Sequence, residues 1–501
     1  MDSSWEIRES IQIILESSSG RIRSEWFQRE TESAMIGEGV EMNLKRNEVI
    51  EVKITDHSFP GTGIGLVEGK KVQVKGAYPG ETVLARAHQV RSDRAKGRFM
   101  EVVSPAEYAV KAPCIHFGRC GGCASQQVPL ALQRTFKEEE VKKLFTQHDL
   151  PLGEYLGITG HEDAYEYRNK MEYTFGDEVK DGELNLGMHL KGMKNSVVNT
   201  VECLLVTEDF RKIHEYTINY FRGKNLPYYR VMRQTGYLRN FILRRGVHTG
   251  ELMVNLVTTT QVSFDLTEFK DGLLQLPLKE TLVSILHTEN DNLADAVNVD
   301  KLNVLHGRDF IYEKLFDLTF KISPFSFFQT NTKGAEVLYG EVKSLIGEEK
   351  EEIFDLYCGT GTIGQIVSDK AKKVRGVEII EEAVVAANEN AAINGLSHVE
   401  FIAGDVKDVI ANLKGAPDLI ILDPPRSGVH PKALEYVKDF DAKEIIYVSC
   451  NPKTLVIDLE YLTSHGYEIQ KTKIVDLFPN TPHLEAIILM THCGDKAKNE
   501  G

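Results

Sequence analysis

No apolar run in this 501-residue chain reaches the roughly 18 residues needed to span a membrane. The first residues, MDSSWEIRES, lack a basic segment followed by an apolar one, so no secretory signal is read there. A disulfide framework is also missing. The seven cysteines (114, 120, 123, 203, 358, 450 and 493) are odd in number and unevenly spaced. Tryptophan is scarce, and both copies, Trp5 and Trp26, fall in the first 42 residues. Basic charge is in deficit, with 59 Lys and Arg against 74 Asp and Glu, a net charge of −15. That weighs weakly against a polyanion as partner, but net charge is not charge distribution. The expectation is a cytoplasmic enzyme with no membrane attachment and no evident obligate protein partner.

What is present divides the chain. Residues 1–42 are polar and show little periodicity. The stretch EGVE before Met42 could be encoded by purine-rich sequence resembling a bacterial ribosome-binding site. Residues 1–41 are therefore either a mis-assigned start or a flexible extension. Residues 43–104 alternate in five short strand-like runs punctuated by Gly and Pro, which predicts a small OB-like β-barrel. Residues 105–320 predict an α+β domain with a helix over 130–148 and antiparallel sheet. From 321 to 495 strands alternate with helices, the pattern of a parallel, doubly wound, Rossmann-like α/β sheet. Two basic segments stand out against the acidic background: ARAHQVRSDRAKGRF, with Arg86, Arg91, Arg94, Lys96 and Arg98, and the aromatic-interleaved stretch 222–245. Each is either a solvated face or a nucleic-acid contact.

The chemistry gathers at one sheet edge. DLYCGTGTIG follows a strand and opens a helix, and Gly359, Gly361 and Gly364 fit G-x-G-x-x-G. Glu378 ends the next strand, where a carboxylate can accept hydrogen bonds from both ribose hydroxyls. A nicotinamide dinucleotide and S-adenosylmethionine both fit this. Asp423 opens DPPRSG at another strand end, as in motif IV of methyltransferases. Arg426, standing where an aromatic would suggest amino-group methylation, argues against that chemistry. Cys450 ends the strand EIIYVS, just before an Asn-Pro turn. Ligands bind at the carboxyl ends of strands in an open parallel sheet, so Tyr357, Glu378, Asp423 and Cys450 share one edge. The last strand, EAIILM, follows its predecessor by a short loop and so runs antiparallel, bringing its first residue, Glu485, to the same edge. A thiol and a base together suit methylation of uracil. Thiolate addition at C6 makes C5 enolate-like, C5 takes the methyl, a base removes its proton, and the thiolate leaves.

CIHFGRCGGC places Cys114, Cys120 and Cys123 at C-x5-C-x2-C, a set for a soft metal or cluster, with Cys203 as candidate fourth ligand. Spacing alone leaves zinc and [4Fe-4S] open. Cys358 and Cys493 read as non-catalytic.

Taken in order, the barrel, the cysteine cluster, FSFFQTN, DLYCGTGTIG, DPPRSG, SCNP and HLEAI resemble the bacterial RNA uracil-C5 methyltransferases, in particular the 23S ribosomal RNA branch. The likeness covers residues 44–490. It implies a TRAM barrel, a class I methyltransferase domain, Cys450 as nucleophile and Glu485 as base. It implies S-adenosylmethionine contacts from Gln329, Tyr357, Gly359, Gly361, Glu378 and Asp423. Asp405 fits on the adenine side, and Thr362 stands where some relatives have Asn. It favours [4Fe-4S] over zinc and 23S rRNA as partner. Phe325, Phe327 and Phe328 precede Gln329, and packing is expected for at least two of them. The alternatives are the same chemistry on tRNA, a catalytically silent RNA-binding module, and a redox enzyme using a nicotinamide and the cluster.

Overall fold

The computed structural model describes residues 44–293, 299–410, 413 and 417–493. The segment 1–42, with Trp5, Trp26 and the expected start at Met42, lies outside the described residues.

Alternation of apolar and polar residues closes the strands Val49–Ser58, Thr62–Val67, Lys70–Lys75, Thr82–Val90 and Arg94–Ser104 into a barrel. Its inward residues, among them Val52, Ile54, Val72, Val74 and Val83, form one small core. The central region holds a seven-stranded sheet in the order Lys301–Gly307, Thr281–Glu289, Glu251–Thr258, Leu238–Gly246, Lys170–Gly176, Asn185–Leu190, Met193–Asn199. The helix Glu208–Arg222 packs Phe210, Ile213, Ile218 and Phe221 on it. The sheet is not purely antiparallel, because Glu251–Thr258 and Thr281–Glu289 run parallel. The chain between them contains the helix Thr267–Leu274, long enough for the crossover a parallel pair needs.

The C-terminal sheet runs Val399–Ala403, Ala371–Glu378, Lys350–Leu356, Leu419–Leu422, Glu444–Ser449, Glu485–His492, Tyr467–Val475, Glu154–Thr159. Its first five strands are mutually parallel. Glu485–His492 is antiparallel to both of its neighbours. The edge strand Glu154–Thr159, read from sequence as part of the central domain, pairs in parallel with Tyr467–Val475. The helix Leu130–Gln147 before it is built into the same unit: Val141, Leu144 and Phe145 share a core with Phe354, Leu356 and Leu459. Each such side chain contributes roughly 1.5–3 kcal/mol by burial.

The same helix reaches the barrel. Glu140 Oε1 accepts from the Gly61 N–H at 3.1 Å. On the sheet side, the Lys137 ammonium meets Asp476 Oδ1 at 2.5 Å, with side chains 5% and 0% exposed. Removing one partner of a buried pair strands the other charge. Asp476→Ala should therefore lower stability by about 3–5 kcal/mol in urea unfolding. The signal to follow is far-UV circular dichroism, since both tryptophans lie in the first 42 residues. A loss below about 1 kcal/mol would mean the pair is solvated, as surface pairs are.

Candidate active site

The glycine loop leaves the strand Lys350–Leu356 through Tyr357 at φ +65° and Gly359 at φ +54°. A Cβ built on Gly359 meets nothing within 4 Å, so this backbone borders open space. At Gly361, with φ +70°, a Cβ would lie 2.4 Å from the Phe401 ring, so only glycine fits. Gly361 caps the short helix Thr362–Ile366. Glu378 Oε2 accepts from the Gly359 N–H at 3.1 Å and Oε1 from the Ile380 N–H at 3.0 Å. Both oxygens keep lone pairs free, so the carboxylate can still accept from a ligand. Asp355, buried beneath, accepts from the Gly364 N–H at 2.8 Å, and its other oxygen has no partner. Burial pushes its carboxyl up to about 7. The Thr362 hydroxyl is buried 3.3 Å from that of Thr360. Asp405 lines a cavity with Ile402, Gly404, Val409 and Leu413. Lys407 bonds its carboxylate at 2.6 Å and holds its pKa below the usual range.

Gln329 sits in the loop before the helix Thr332–Leu345, and its carbonyl accepts from Asn169 Nδ2 at 2.9 Å. Of the three phenylalanines before it, Phe328 is buried, Phe325 half-buried and Phe327 69% exposed. One ring of the three is thus exposed.

Asp423 follows the strand Leu419–Leu422, and burial pushes its carboxyl up to about 7. Cys450 follows Ser449, which pairs with Ala486. The next antiparallel step sets Cys450 opposite Glu485. Glu485 is buried, 4% exposed. Burial first, then Asp423, raise its pKa well above the carboxylate range, and Arg426 opposes them. The Cys450 thiol is pushed up to about 11 by burial and then Glu485, again opposed by Arg426. Arg426 is thus the cation shared by thiol and carboxyl. Its own carbonyl is held by Asn451 Nδ2 at 2.8 Å and Thr454 Oγ1 at 3.3 Å, both just after Cys450. In the sequence Arg426 speaks only against amino-group methylation. Its place directly after DPP, at the strand-end edge, was the available signal.

The four cysteines, from two separate segments, interact electrostatically. Burial pushes Cys123 up to about 12, with Cys203, Cys120 and Cys114 adding repulsion, and Cys203 up to about 11 with Cys120 and Cys114 adding theirs. The Gly122 N–H points at Cys120 Sγ at 3.3 Å. Among the described residues, no group of three or more His, Cys, Asp or Glu is arranged to hold a metal ion. Thiol sulfurs are nonetheless the donor type that a soft metal or cluster takes. Cys358 is buried in the glycine loop, and Cys493 follows the last strand.

The basic segments part company. Arg86, Arg91, Arg94, Lys96 and Arg98 are all exposed on the barrel. In the second segment Arg239 and Arg244 are buried. Arg239 donates to the Asn290 carbonyl at 3.0 Å. Arg244 Nε donates to the Pro324 carbonyl at 3.1 Å, propping the loop that carries Gln329. That part of the segment is framework, not surface. No described helix is long and apolar enough to cross a membrane.

The chain is similar to known proteins. A family model described as tRNA (Uracil-5-)-methyltransferase matches residues 293–493, and a TRAM domain model matches residues 43–100. Relatives from Clostridium tetani and Clostridium acetobutylicum, each described as an uncharacterized RNA methyltransferase, are 53% identical over 448 residues, 89% of this chain and 98% of theirs. A solved structure, the Pyrococcus abyssi tRNA (uracil-54, C5)-methyltransferase in complex with S-adenosyl-L-homocysteine, superposes with a TM-score of 0.70 at 27% identity. It covers 88% of this chain and 100% of its own.

The electrostatics make a direct prediction. Below a pKa of about 11 the reactive thiolate is a minor form that grows about tenfold per pH unit. Alkylation of Cys450 by iodoacetamide, followed by peptide mass spectrometry, should rise accordingly from pH 7 to 10. Arg426→Gln removes the opposing cation and should shift the curve to higher pH. A midpoint near the free-cysteine value of about 8.5, unmoved by the substitution, would contradict this account.

Proposed function

Because this chain belongs to the TRAM-bearing family of S-adenosylmethionine-dependent RNA (uracil-C5) methyltransferases, we propose that it makes 5-methyluridine in 23S ribosomal RNA through a covalent adduct on Cys450. The observation that carries the mechanism is the pairing of Ser449 with Ala486, which sets a thiol against a buried carboxyl beside Asp423. The Cys450 thiolate adds to uracil C6, and the electron pair moves onto the C5–C4–O4 system. C5 then takes the methyl group as its bond to the donor sulfonium breaks, leaving a neutral thioether. Glu485 removes the C5 proton, the C5=C6 bond re-forms, and the thiolate leaves. Glu485 must be ionised for this last step. Its buried site makes the carboxylate a stronger base than one in water.

S-adenosylmethionine supplies an electrophilic methyl carbon. The residues that would hold it are Gln329, Tyr357, Gly359, Gly361, Thr362, Glu378, Asp405 and Asp423. Glu378 would take the ribose hydroxyls, Asp405 the adenine side, and the open face of Gly359 would let the ligand approach the backbone. Cys114, Cys120, Cys123 and Cys203 would hold a [4Fe-4S] cluster in preference to zinc. Its part would be structural or in RNA recognition, since methyl transfer moves no electrons. The exposed arginines of the barrel would bind the phosphates of a folded RNA segment. The target uridine must leave its stack, at a cost of a few kcal/mol, and Phe327 offers a ring for a displaced base.

The second reading is the same chemistry on tRNA. It is favoured by the Pyrococcus abyssi tRNA enzyme, whose whole chain superposes on this fold. The ribosomal reading rests on the cysteine cluster joined to the barrel.

Two experiments test the proposal. The protein with S-adenosylmethionine and 23S rRNA fragments containing 5-fluorouridine should give a denaturation-resistant complex, absent in Cys450→Ala. Fluorine cannot leave as a proton does. A complex with tRNA instead would overturn the substrate and keep the chemistry, and none with either would remove both. Separately, anaerobically purified protein should carry iron and acid-labile sulfide, lost in Cys123→Ala. Zinc without sulfide would replace the cluster by a metal ion.

A further inference from the structure

The loop Asp476–Leu484, which leads into Glu485, is fixed mostly by groups from residues 124–167, far earlier in the chain. Its tip is Asn480, 2% exposed, at φ +64°. Gln133, on the helix Leu130–Gln147, grips it twice: Gln133 Oε1 accepts from the Asn480 backbone N–H at 2.8 Å, and Gln133 Nε2 donates to Asn480 Oδ1 at 3.1 Å. Asn480 Nδ2 donates to the Ala164 carbonyl at 2.8 Å. The Asn480 carbonyl accepts from the N–H groups of Ala124 and Ser125, directly after Cys123, at 2.9 and 3.3 Å. On either side of the tip, the Tyr167 hydroxyl donates to the Pro479 carbonyl at 3.0 Å, and Asn331 Nδ2 to the Leu477 carbonyl at 2.8 Å. Every hydrogen-bonding atom of Asn480 is used, and none of its partners lies on a strand of the catalytic sheet.

We propose that Asn480 is a positioning residue. It ties the cysteine loop and the linking helix to the hairpin tip, and so fixes where the Glu485 carboxylate stands relative to C5 of the adduct. This rests on Glu485 being the base. Addition of Cys450 to C6 and methylation of C5 do not need that carboxylate. Only the last step does, in which Glu485 takes the C5 proton, the C–H electron pair re-forms C5=C6, and the C6–S bond breaks. A misplaced base therefore blocks release and leaves attack intact. A merely destabilised protein would lose both.

The variants are Asn480→Gly, which keeps the left-handed backbone and removes both side-chain bonds, and Gln133→Ala. On ordinary uridine RNA both should turn over about tenfold or more slowly and accumulate a denaturation-resistant protein–RNA adduct. Their rate of trapping on 5-fluorouridine RNA should stay within about threefold of the parent, which shows that fold, binding and attack survive. Glu485→Gln is the reference and should accumulate the same adduct. Slow turnover without accumulation, while Glu485→Gln does accumulate it, would overturn the positioning role alone. No accumulation in Glu485→Gln would overturn the base assignment itself. Parent-like turnover in both variants would also overturn the proposal.

Discussion

One strand direction governs this molecule. Five parallel strands present only their carboxyl ends at the ligand edge, and from those ends come Tyr357, Glu378, Asp423 and Cys450. Glu485–His492 runs the other way, between Glu444–Ser449 and Tyr467–Val475. A strand inserted antiparallel presents its first residue where its neighbours present their last. Without that reversal Glu485 would lie at the opposite end of the sheet from Cys450. The glycine loop, the buried acids and the loop gripped by Gln133 gather at the same edge as this thiol and carboxyl.

Burial sets the chemistry of that pair. Asp355, Asp423 and Glu485 are all raised by desolvation, as is Cys450. Water has been removed from groups that would rather be solvated, at a cost in stability. Asp355 and Asp423 are brought to about 7, while the Cys450 thiol at about 11 holds only a small thiolate fraction at neutral pH. Arg426 moderates both partners from the surface side. Its carbonyl is tied to the turn after Cys450.

Much of this was legible in the sequence because the signals are local. Strand alternation gave the barrel, and strand–turn–helix punctuation placed the glycine loop and the DPP turn. The short PNTPHL connection implied the reversal of the last strand. What escaped depends on distant partners. Nothing local shows that Glu154–Thr159 joins a strand more than 300 residues later, as it does at Lys471 and Thr472. A strand's sequence fixes its period, not its neighbour. The arginines of the second basic segment look alike in sequence, yet Arg239 and Arg244 are buried against carbonyls of distant loops. Gln133 is one polar residue among many on its helix until Asn480 arrives opposite it.

If Cys450 and Glu485 act on the same uracil in sequence, tritium at C5 reads the two roles separately. With RNA carrying 5-tritiated uridine and S-adenosylmethionine, the parent protein should release one tritium to water for each methyl group transferred. Cys450→Ala should give neither. Glu485→Gln should take up methyl while retaining tritium in a protein-bound product. Tritium release at the parent rate from Cys450→Ala, or free methylated RNA released normally by Glu485→Gln, would contradict the account.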